Sequence, residues 1–140
     1  MIIQIIGLPN NEIESLANYL SKKYSIPYID ISYFNKQNKT EAIRKYSEFI
    51  LNNQNFIITG SMYEVIYSSF YKRDYLIWLD KDDKEKLNTF QKMNAFNMIY
   101  KEYEICKSNK IIIDSKLNLR EQEKLLSSII EKKDYEKIQR

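Results

Sequence analysis

Two residue types that carry much of enzyme chemistry are nearly absent from this chain of 140 residues, which has no histidine and one cysteine, Cys106. Without histidine there are no histidine metal ligands and no nucleophilic triads built on an imidazole base. A single cysteine excludes an intrachain disulfide, and its polar neighbours do not indicate a nucleophile. We therefore expect no metal site and no histidine-based catalysis.

Glycine and proline are also scarce, with two of each in the whole chain. Each glycine, Gly7 and Gly60, is therefore expected where the backbone requires it. No linker, repeat or low-complexity segment is present, and an apolar content of 44% is ordinary for a globular protein. We expect a single domain over residues 1–140, with a charged helical tail from about residue 131.

Neither sign of charge dominates, because 22 basic and 19 acidic residues give a net charge of +3 and alternate along the chain, as at residues 81–86. A nucleic-acid binder usually clusters its basic residues, so nucleic acid is not the expected partner. No apolar run has the length of a membrane span, and the first residues lack the basic region of a signal peptide. The expectation is a cytoplasmic protein that does not bind membranes.

Short apolar runs alternate with helical patterns along the chain. The predicted strands are residues 1–6, 28–31, 56–59, 75–79 and 110–114, and the predicted helices are 12–24, 38–51, 82–105 and 118–133, with a short amphipathic segment at 62–71. This alternation predicts a three-layer α/β/α domain with a five-stranded, mainly parallel sheet. The apolar stripe of the 82–105 helix is interpreted as core: Leu87, Phe90, Met93, Phe96, Tyr100 and Tyr103.

Ligand sites of parallel α/β sheets form at the carboxyl ends of the strands, which here hold Gly7, Asp30, Gly60 and Asp80. The turn after the first strand has the strand–glycine–helix context of a phosphate-binding loop, G-x-x-x-x-G-K-[ST]. In that pattern Glu12 replaces the second glycine, Ile13 the lysine and Glu14 the hydroxyl residue, so these three residues are interpreted as inactivating. The remnant of the loop is Gly7, Asn10, Asn11 and Ser15.

The replaced residues have a structural explanation in helix capping. Asn11 and Glu14 fit a capping box, in which they satisfy the first N–H groups of their own helix. The lost lysine and the gained glutamates also oppose an anion, since one unit charge at about 4 Å is worth roughly 4 kcal/mol at an effective dielectric near 20, before screening. The same spacing recurs at the other predicted helix starts: Asn38–Glu41, Ser61–Glu64 and Asn118–Glu121.

The order of elements resembles the kinase-type P-loop proteins, which include adenylate, shikimate and gluconate kinases. It is most similar to the small adenylate-kinase-like family of DNA topology modulation proteins, through MIIQIIGLP at 1–9, SIPYID at 25–30, FIITGS at 56–61 and KRDYLIWLD at 72–80. The resemblance implies the sheet order 2-3-1-4-5. It also implies that Asp30 occupies the place of an acid that positions metal or acceptor, whereas Asp80 is expected to be structural.

The chain departs from that family at the positions that handle phosphate. Thr59 stands where the third strand often ends in an acid, and no arginine lies between Asp80 and Ile111 to close over phosphates. Lysines are present in that interval, but a lysine does not clamp a phosphate through two hydrogen bonds as arginine does. They include Lys84, Lys86, Lys92, Lys101 and Lys107.

Three functions follow as hypotheses. The first is a degenerate kinase-fold protein, not a competent enzyme, that needs no cofactor and acts as a binding or regulatory module through a protein partner or a second copy. The second is a phosphotransferase with a rebuilt ATP and magnesium site that uses Asp30, Ser15 and lysines such as Lys36 or Lys39. The third, suggested by the family's label, is a nucleic-acid-associated protein.

Overall fold

The computed structural model describes residues 1–35, 38–61, 73–80, 88–114 and 116–139. Within them the alternation of strands and helices predicted from the sequence is confirmed. The elements are β1 (Ile2–Ile6), α1 (Asn11–Tyr24), β2 (Tyr28–Asp30), α2 (Ser32–Asn35), α3 (Lys39–Asn52), β3 (Phe56–Thr59), β4 (Tyr75–Asp80), α4 (Thr89–Ile105), β5 (Asn109–Asp114) and α5 (Leu119–Gln139).

Some sequence predictions concern other parts of the chain. The segment 62–71, the start of the predicted 82–105 helix, and the residues Lys36, Glu64 and Leu87 lie outside the described residues. The short helix α2 was not predicted, and α5 runs to Gln139 rather than ending near residue 133.

The five strands form one parallel sheet in the order β2-β3-β1-β4-β5, which confirms the order implied by the resemblance. β1 is central because its side chains are apolar toward both faces, apart from Gln4, and a parallel sheet covered on both faces favours such strands. Gln4 itself is fully buried, aligned with Ile58 of β3 and Leu76 of β4.

Helices cover the sheet on both faces, and alternate residues of β1 point to opposite sides. Ile3 and Ile5 pack into a cluster that includes residues of α1 and α5. On the other face, one cluster joins α2 and α3 to Phe56 and Ile58, and a second joins α4 to Ile6 of β1 and to residues of β4. The sheet therefore has one continuous apolar layer on one face and two separate clusters on the other.

The interpretation of the α4 stripe as core is wrong for four of its five described residues, whereas the fifth, Tyr103, is half-buried and packs against the cluster that contains Ile6 and Trp78. Phe90, Met93, Phe96 and Tyr100 are exposed, whereas Ile99 and Glu102 are the buried residues of the helix. Periodicity located the stripe, but a different face of α4 packs on the sheet.

Candidate functional site

A cleft of about 520 Å³ opens at the carboxyl ends of β1, β2 and β3. This is the edge at which parallel α/β sheets bind ligands. Three of the four strand-end residues proposed from the sequence line the cleft, whereas Asp80 is exposed at the end of β4 beside Asp114. The lining consists of Gly7, Pro9, Asn10, Asn11, Ile13, Glu14, Tyr28, Asp30, Thr59 and Gly60.

Both glycines of the chain line this cleft, and each is required by its surroundings. A Cβ at Gly7 would lie 2.6 Å from the backbone carbonyl oxygen of Leu79, so the first loop passes against β4 too closely for any side chain. Gly60 has a φ of +108°, and a Cβ there would overlap Cγ2 of Ile31. The close contact with Leu79 is therefore sufficient to explain why residue 7 is a glycine, without a bound phosphate.

The first turn of α1 is closed by the side chain of Asn10. Its Oδ1 accepts the backbone N–H of Glu12 at 3.0 Å and of Ile13 at 3.2 Å, while its Nδ2 donates to the carbonyl of Leu8 at 2.9 Å. Asn10 has extended backbone angles, φ −158° and ψ 158°, as expected for a residue that caps a helix. These N–H groups are of the kind that a phosphate-binding loop directs at its anion.

The cap lies one residue earlier than the sequence pattern indicates. Asn11 is already the first residue of α1, so it does not act as the cap of a box with Glu14.

The predicted pairing is present in full at Asn118 and Glu121, where each side chain accepts the backbone N–H of the other residue. A further box, not predicted, joins Asn88 and Gln91 at the start of α4. At Asn38 only the cap half is formed, and the side chain of Glu41 pairs with Arg44 instead.

The residues that replace the phosphate-loop pattern point in different directions. Glu12 points toward α5, where its Oε2 accepts a hydrogen bond of 3.1 Å from Gln122. Ser15 is exposed, and its hydroxyl donates to the backbone carbonyl of Asn11 at 3.1 Å. Neither Glu12 nor Ser15 is among the residues that line the cleft.

Ile13 and Glu14 do line the cleft, at the positions of the lysine and the hydroxyl residue. Ile13 packs against the core cluster beneath α1 and lies beside Gly7. Glu14 is exposed and directs negative charge toward the opening of the cleft, near enough to Tyr28 to oppose ionisation of its phenol. An apolar group and an acid thus stand where this type of loop requires a cation and a magnesium ligand.

Asp30 lies across the cleft in a chain of hydrogen bonds. Its Oδ1 accepts the backbone N–H of Ser32 at 2.8 Å, and its Oδ2 accepts the hydroxyl of Thr59 at 2.9 Å. Because the Thr59 proton goes to Asp30, the Tyr28 hydroxyl donates to Thr59, at 3.1 Å. Burial acts to raise the pKa of Asp30, but the hydrogen bonds from Ser32 and Thr59 outweigh it and hold that pKa below its ordinary value.

The environment of Tyr28 is also shaped by these acids. Burial raises the pKa of the Tyr28 phenol, the hydrogen bond with Thr59 lowers it, and the negative charges of Asp30 and Glu14 raise it further. The phenol therefore stays a neutral donor at physiological pH.

ATP with Mg²⁺, which the kinase fold implies, does not fit these residues. Neither lysine nor arginine is among the described lining residues, and the first backbone N–H groups of α1 donate to Asn10. Both oxygens of Asp30 accept hydrogen bonds from the protein itself. Among the described lining residues, the charged side chains are therefore both acidic, Glu14 and Asp30.

A buried polar cluster beneath α4 was missed by the sequence analysis. Gln4 donates to Glu102 at 2.7 Å and to the carbonyl of Gly60 at 2.8 Å, Ser61 donates to Glu102 at 2.6 Å, and Arg73 donates to Gln4 at 2.6 Å. The cluster lies between the two apolar clusters on that face of the sheet. The one available signal was a glutamine inside an otherwise apolar central strand.

The sheet order and the helices on both faces define a kinase-type P-loop NTPase fold, and solved structures agree. The YorR protein of Bacillus subtilis, solved in complex with phosphorylated GDP, is similar with a TM-score of 0.69 and 13% identity, over 96% of this chain and 98% of its own. Shikimate kinase of Aquifex aeolicus is similar with a TM-score of 0.65 and 16% identity, over 96% and 99% of the two chains.

Deoxyadenosine kinase of M. mycoides, solved with the products dCMP and dCDP, has a TM-score of 0.52 and 15% identity, over 94% of this chain and 99% of its own. At these identities the likeness shows the fold alone. No protein-family model and no curated protein matches the sequence.

The described part of the chain has neither a membrane-spanning helix nor a cluster of metal-ligand side chains. None of its helices has both the length and the apolar character needed to cross a membrane. The same residues contain no group of three or more histidine, cysteine or acidic side chains that is arranged to hold a metal ion.

Proposed function

We propose that this protein has the fold of a small-molecule kinase without the activity, and that it works by binding, as a regulatory or partner-binding module. The observation that carries the proposal is the cap of α1. Asn10 uses its own side chain to bind the N–H groups of Glu12 and Ile13, which in a working loop face the phosphates of the nucleotide.

Charge supports the same conclusion. Glu14 and Asp30 both line the cleft, and hydrogen bonds hold the pKa of Asp30 low, so its carboxylate is ionised at neutral pH. Two carboxylates repel a triphosphate, while the position of the loop lysine holds Ile13. Glu12 contributes less to this repulsion than its place in the sequence suggests, because its carboxylate is directed to Gln122 of α5.

Nucleotide titration tests the proposal. We expect calorimetric titration with ATP or GTP in the presence of Mg²⁺ to show no binding below millimolar concentration. A repair variant that restores the full pattern, Glu12→Gly, Ile13→Lys and Glu14→Ser together, should gain affinity, because it adds a cation and removes two acids. A gain of about 3 kcal/mol corresponds to roughly a hundredfold in the dissociation constant.

The matched control carries Glu12→Gln and Glu14→Gln, which removes the same two acids without adding the lysine. Its affinity should fall between those of the wild type and the repair variant. Micromolar affinity of the wild-type protein for Mg-ATP would contradict the proposal.

A second function, phosphoryl transfer at an unorthodox site, is favoured by one observation. Asp30 is ionised and lies in a cleft of about 520 Å³, large enough for a nucleoside or a sugar. Assays of ATP consumption with nucleosides, nucleotides and sugars as acceptors decide between the two functions. Turnover that is lost in Asp30→Asn would establish transfer, whereas no turnover with any acceptor leaves the binding function.

A further inference from the structure

Four large apolar side chains of α4 and one of β5 are exposed on the same side of the sheet. Phe90 is 73% exposed and Met93 61%, followed along the helix by Phe96 and Tyr100 at 45% and 48%. Ile112 of β5 is 46% exposed. We call these five residues the α4–β5 surface.

Trp78 of β4 connects Phe96 and Tyr100 to Ile112, and Phe90 and Met93 precede Phe96 at successive three-residue steps along the same helix. The rings of Trp78 and Phe96 lie 5.6 Å apart, and Phe96 stacks on Tyr100 at 6.2 Å. Trp78 is aligned with Ile112 in the sheet, so Ile112 is its neighbour on the side away from β1. Contiguous apolar surface of this kind marks an interaction site more often than scattered apolar residues do.

The neighbouring strand β5 forms the edge of the sheet. It pairs with β4, and no other strand among the described residues pairs with its outer side. An edge strand presents a row of backbone N–H and C=O groups to any second strand that approaches it. The run Ile111-Ile112-Ile113 at this edge has the β-branched side chains that favour strand pairing.

We propose that the α4–β5 surface is the interface between two copies of this chain, whose β5 strands pair antiparallel about a twofold axis at Ile112. The charges of β5 select this partner and this register. With Ile112 opposite its own copy, Lys110 of each chain lies opposite Asp114 of the other, so two pairs of opposite charge form. Shifting the register by two residues would place Lys110 or Asp114 opposite Ile112 instead.

Lys110 already contacts its own α4 in the single chain. Its Nζ donates to the carbonyl of Tyr103 at 3.0 Å and lies 4.7 Å from the centre of the Tyr103 ring. Asp114 accepts the backbone N–H of Lys116 at 2.9 Å. These contacts place Lys110 on the α4 side of β5, the side on which Ile112 is exposed, so the cross-chain pairs flank the Ile112 pair.

The twofold arrangement also covers the exposed face of α4. A twofold axis perpendicular to the sheet keeps both α4 helices on one side. If each lies over its own β4, they are three strand spacings apart, or about 14 Å at roughly 4.8 Å per strand. Helices in direct contact have axes about 8–10 Å apart. The larger separation leaves space between the two α4 helices, which the two Ile112 side chains and the Phe96 and Tyr100 rings fill. The interface is separate from the cleft at β1–β3, and it stands whether or not the cleft binds a nucleotide.

Charge exchange at the edge strand tests this interface. By sedimentation equilibrium across a dilution series, the wild-type protein should be a dimer. Lys110→Asp and Asp114→Lys each place like charges opposite one another twice, so each variant alone should have a dissociation constant at least about tenfold higher. An equimolar mixture of the two variants restores both opposite pairs and should form a heterodimer. The double variant, with both changes in one chain, should again form a homodimer.

Two further variants distinguish this interface from general effects on solubility or folding. Ile112→Lys should give a monomer with a cooperative thermal transition. Leu51→Lys, which changes an apolar residue of α3 that is 82% exposed, should remain a dimer. A wild-type protein that is monomeric throughout the dilution series overturns the proposal. So does a dimer that persists in Ile112→Lys, or a mixture of the two charge variants that fails to associate.

Discussion

Arg73 and Glu102 form an ion pair beneath α4, with 3.4 Å between Nη1 and Oε1 and with side chains that are only 5% and 2% exposed. Burying both charges is costly, and their attraction offsets that cost only where further hydrogen bonds complete the set. Gln4 supplies such bonds to both partners, and Ser61 supplies one to Glu102. The cluster therefore ties α4 to the centre of the sheet with polar contacts where the apolar packing is interrupted.

Removing the carboxylate of Glu102 from this ion pair should destabilise the fold. We expect Glu102→Ala to lower the free energy of unfolding by about 3 kcal/mol, because the buried guanidinium of Arg73 loses its ion pair with Glu102. Urea unfolding monitored by circular dichroism measures the change. The control is Glu48→Ala, which removes an exposed partner of Arg44 and should leave the unfolding midpoint nearly unchanged. If the two variants lost the same free energy of unfolding, the buried pair would contribute no more to stability than the exposed one.

The cap of α1 has a measurable contribution to stability. Asn10→Ala leaves the N–H groups of Glu12 and Ile13 without the Asn10 acceptor, and we expect a loss of about 1 kcal/mol. Asn10→Asp keeps an acceptor at the same place and adds a negative charge that the helix start favours, so it should stay near the wild type. Thermal unfolding of both variants decides the point, and an unchanged midpoint in Asn10→Ala would argue against the cap.

The buried phenol of Tyr46 should make the stability of the fold depend on pH in the alkaline range. The residue is 1% exposed, and burial raises the pKa of its phenol to about 12, while the charge of Arg73 acts to lower that pKa. The unfolded chain releases this proton near pH 10, so the folded state binds more protons between pH 10 and 12, and stability falls as pH rises through that range. The loss approaches about 2–3 kcal/mol.

Tyr46→Phe should remove that part of the pH dependence. The Tyr46 hydroxyl has no hydrogen-bond partner among the described residues, so its loss at neutral pH should cost little or even stabilise the fold. Urea unfolding at neutral pH and at alkaline pH, for both proteins, measures the two effects. A variant that loses stability with pH as steeply as the wild type would assign the effect to other tyrosines.

Gly60 should resist substitution for two separable reasons. Gly60→Ala forces a left-handed backbone, φ +108°, on a residue with a Cβ and creates an overlap with Ile31. We expect a loss of about 2–3 kcal/mol. Adding Ile31→Ala to this variant relieves the overlap and leaves the backbone strain, so the double variant should cost less than the sum of the two single changes. Strict additivity, measured by urea unfolding, would show that the overlap has no part in the effect.

The sheet was predictable because each strand is a short run of apolar residues bounded by a clear change of period, and β1 is apolar on both faces. The convergence of Gly7, Asp30 and Gly60 was predictable because the carboxyl ends of adjacent parallel strands share one edge. Asp80 does not join them, because β4 lies on the other side of β1 and its acid is exposed there.

Other features depended on information that a local pattern does not contain. Asn10 and Asn11 are equally good caps, and the choice depends on where the backbone turns helical after Pro9 and the close contact of Gly7 with β4. The stripe of α4 has the right period for a core face, but period does not show which face meets the sheet. The partners of Gln4 lie 56, 69 and 98 residues away in the chain, beyond the reach of a pattern read along it.

The cap at Asn10 has a consequence for how stability depends on the surroundings. A loop that directs its N–H groups at a ligand is stabilised in proportion to the logarithm of ligand concentration, and only above the dissociation constant. Asn10 is covalently part of the chain and is present at the same effective concentration in every molecule. The contribution of Asn10 to the stability of the start of α1 is therefore the same whatever the cellular level of phosphate compounds.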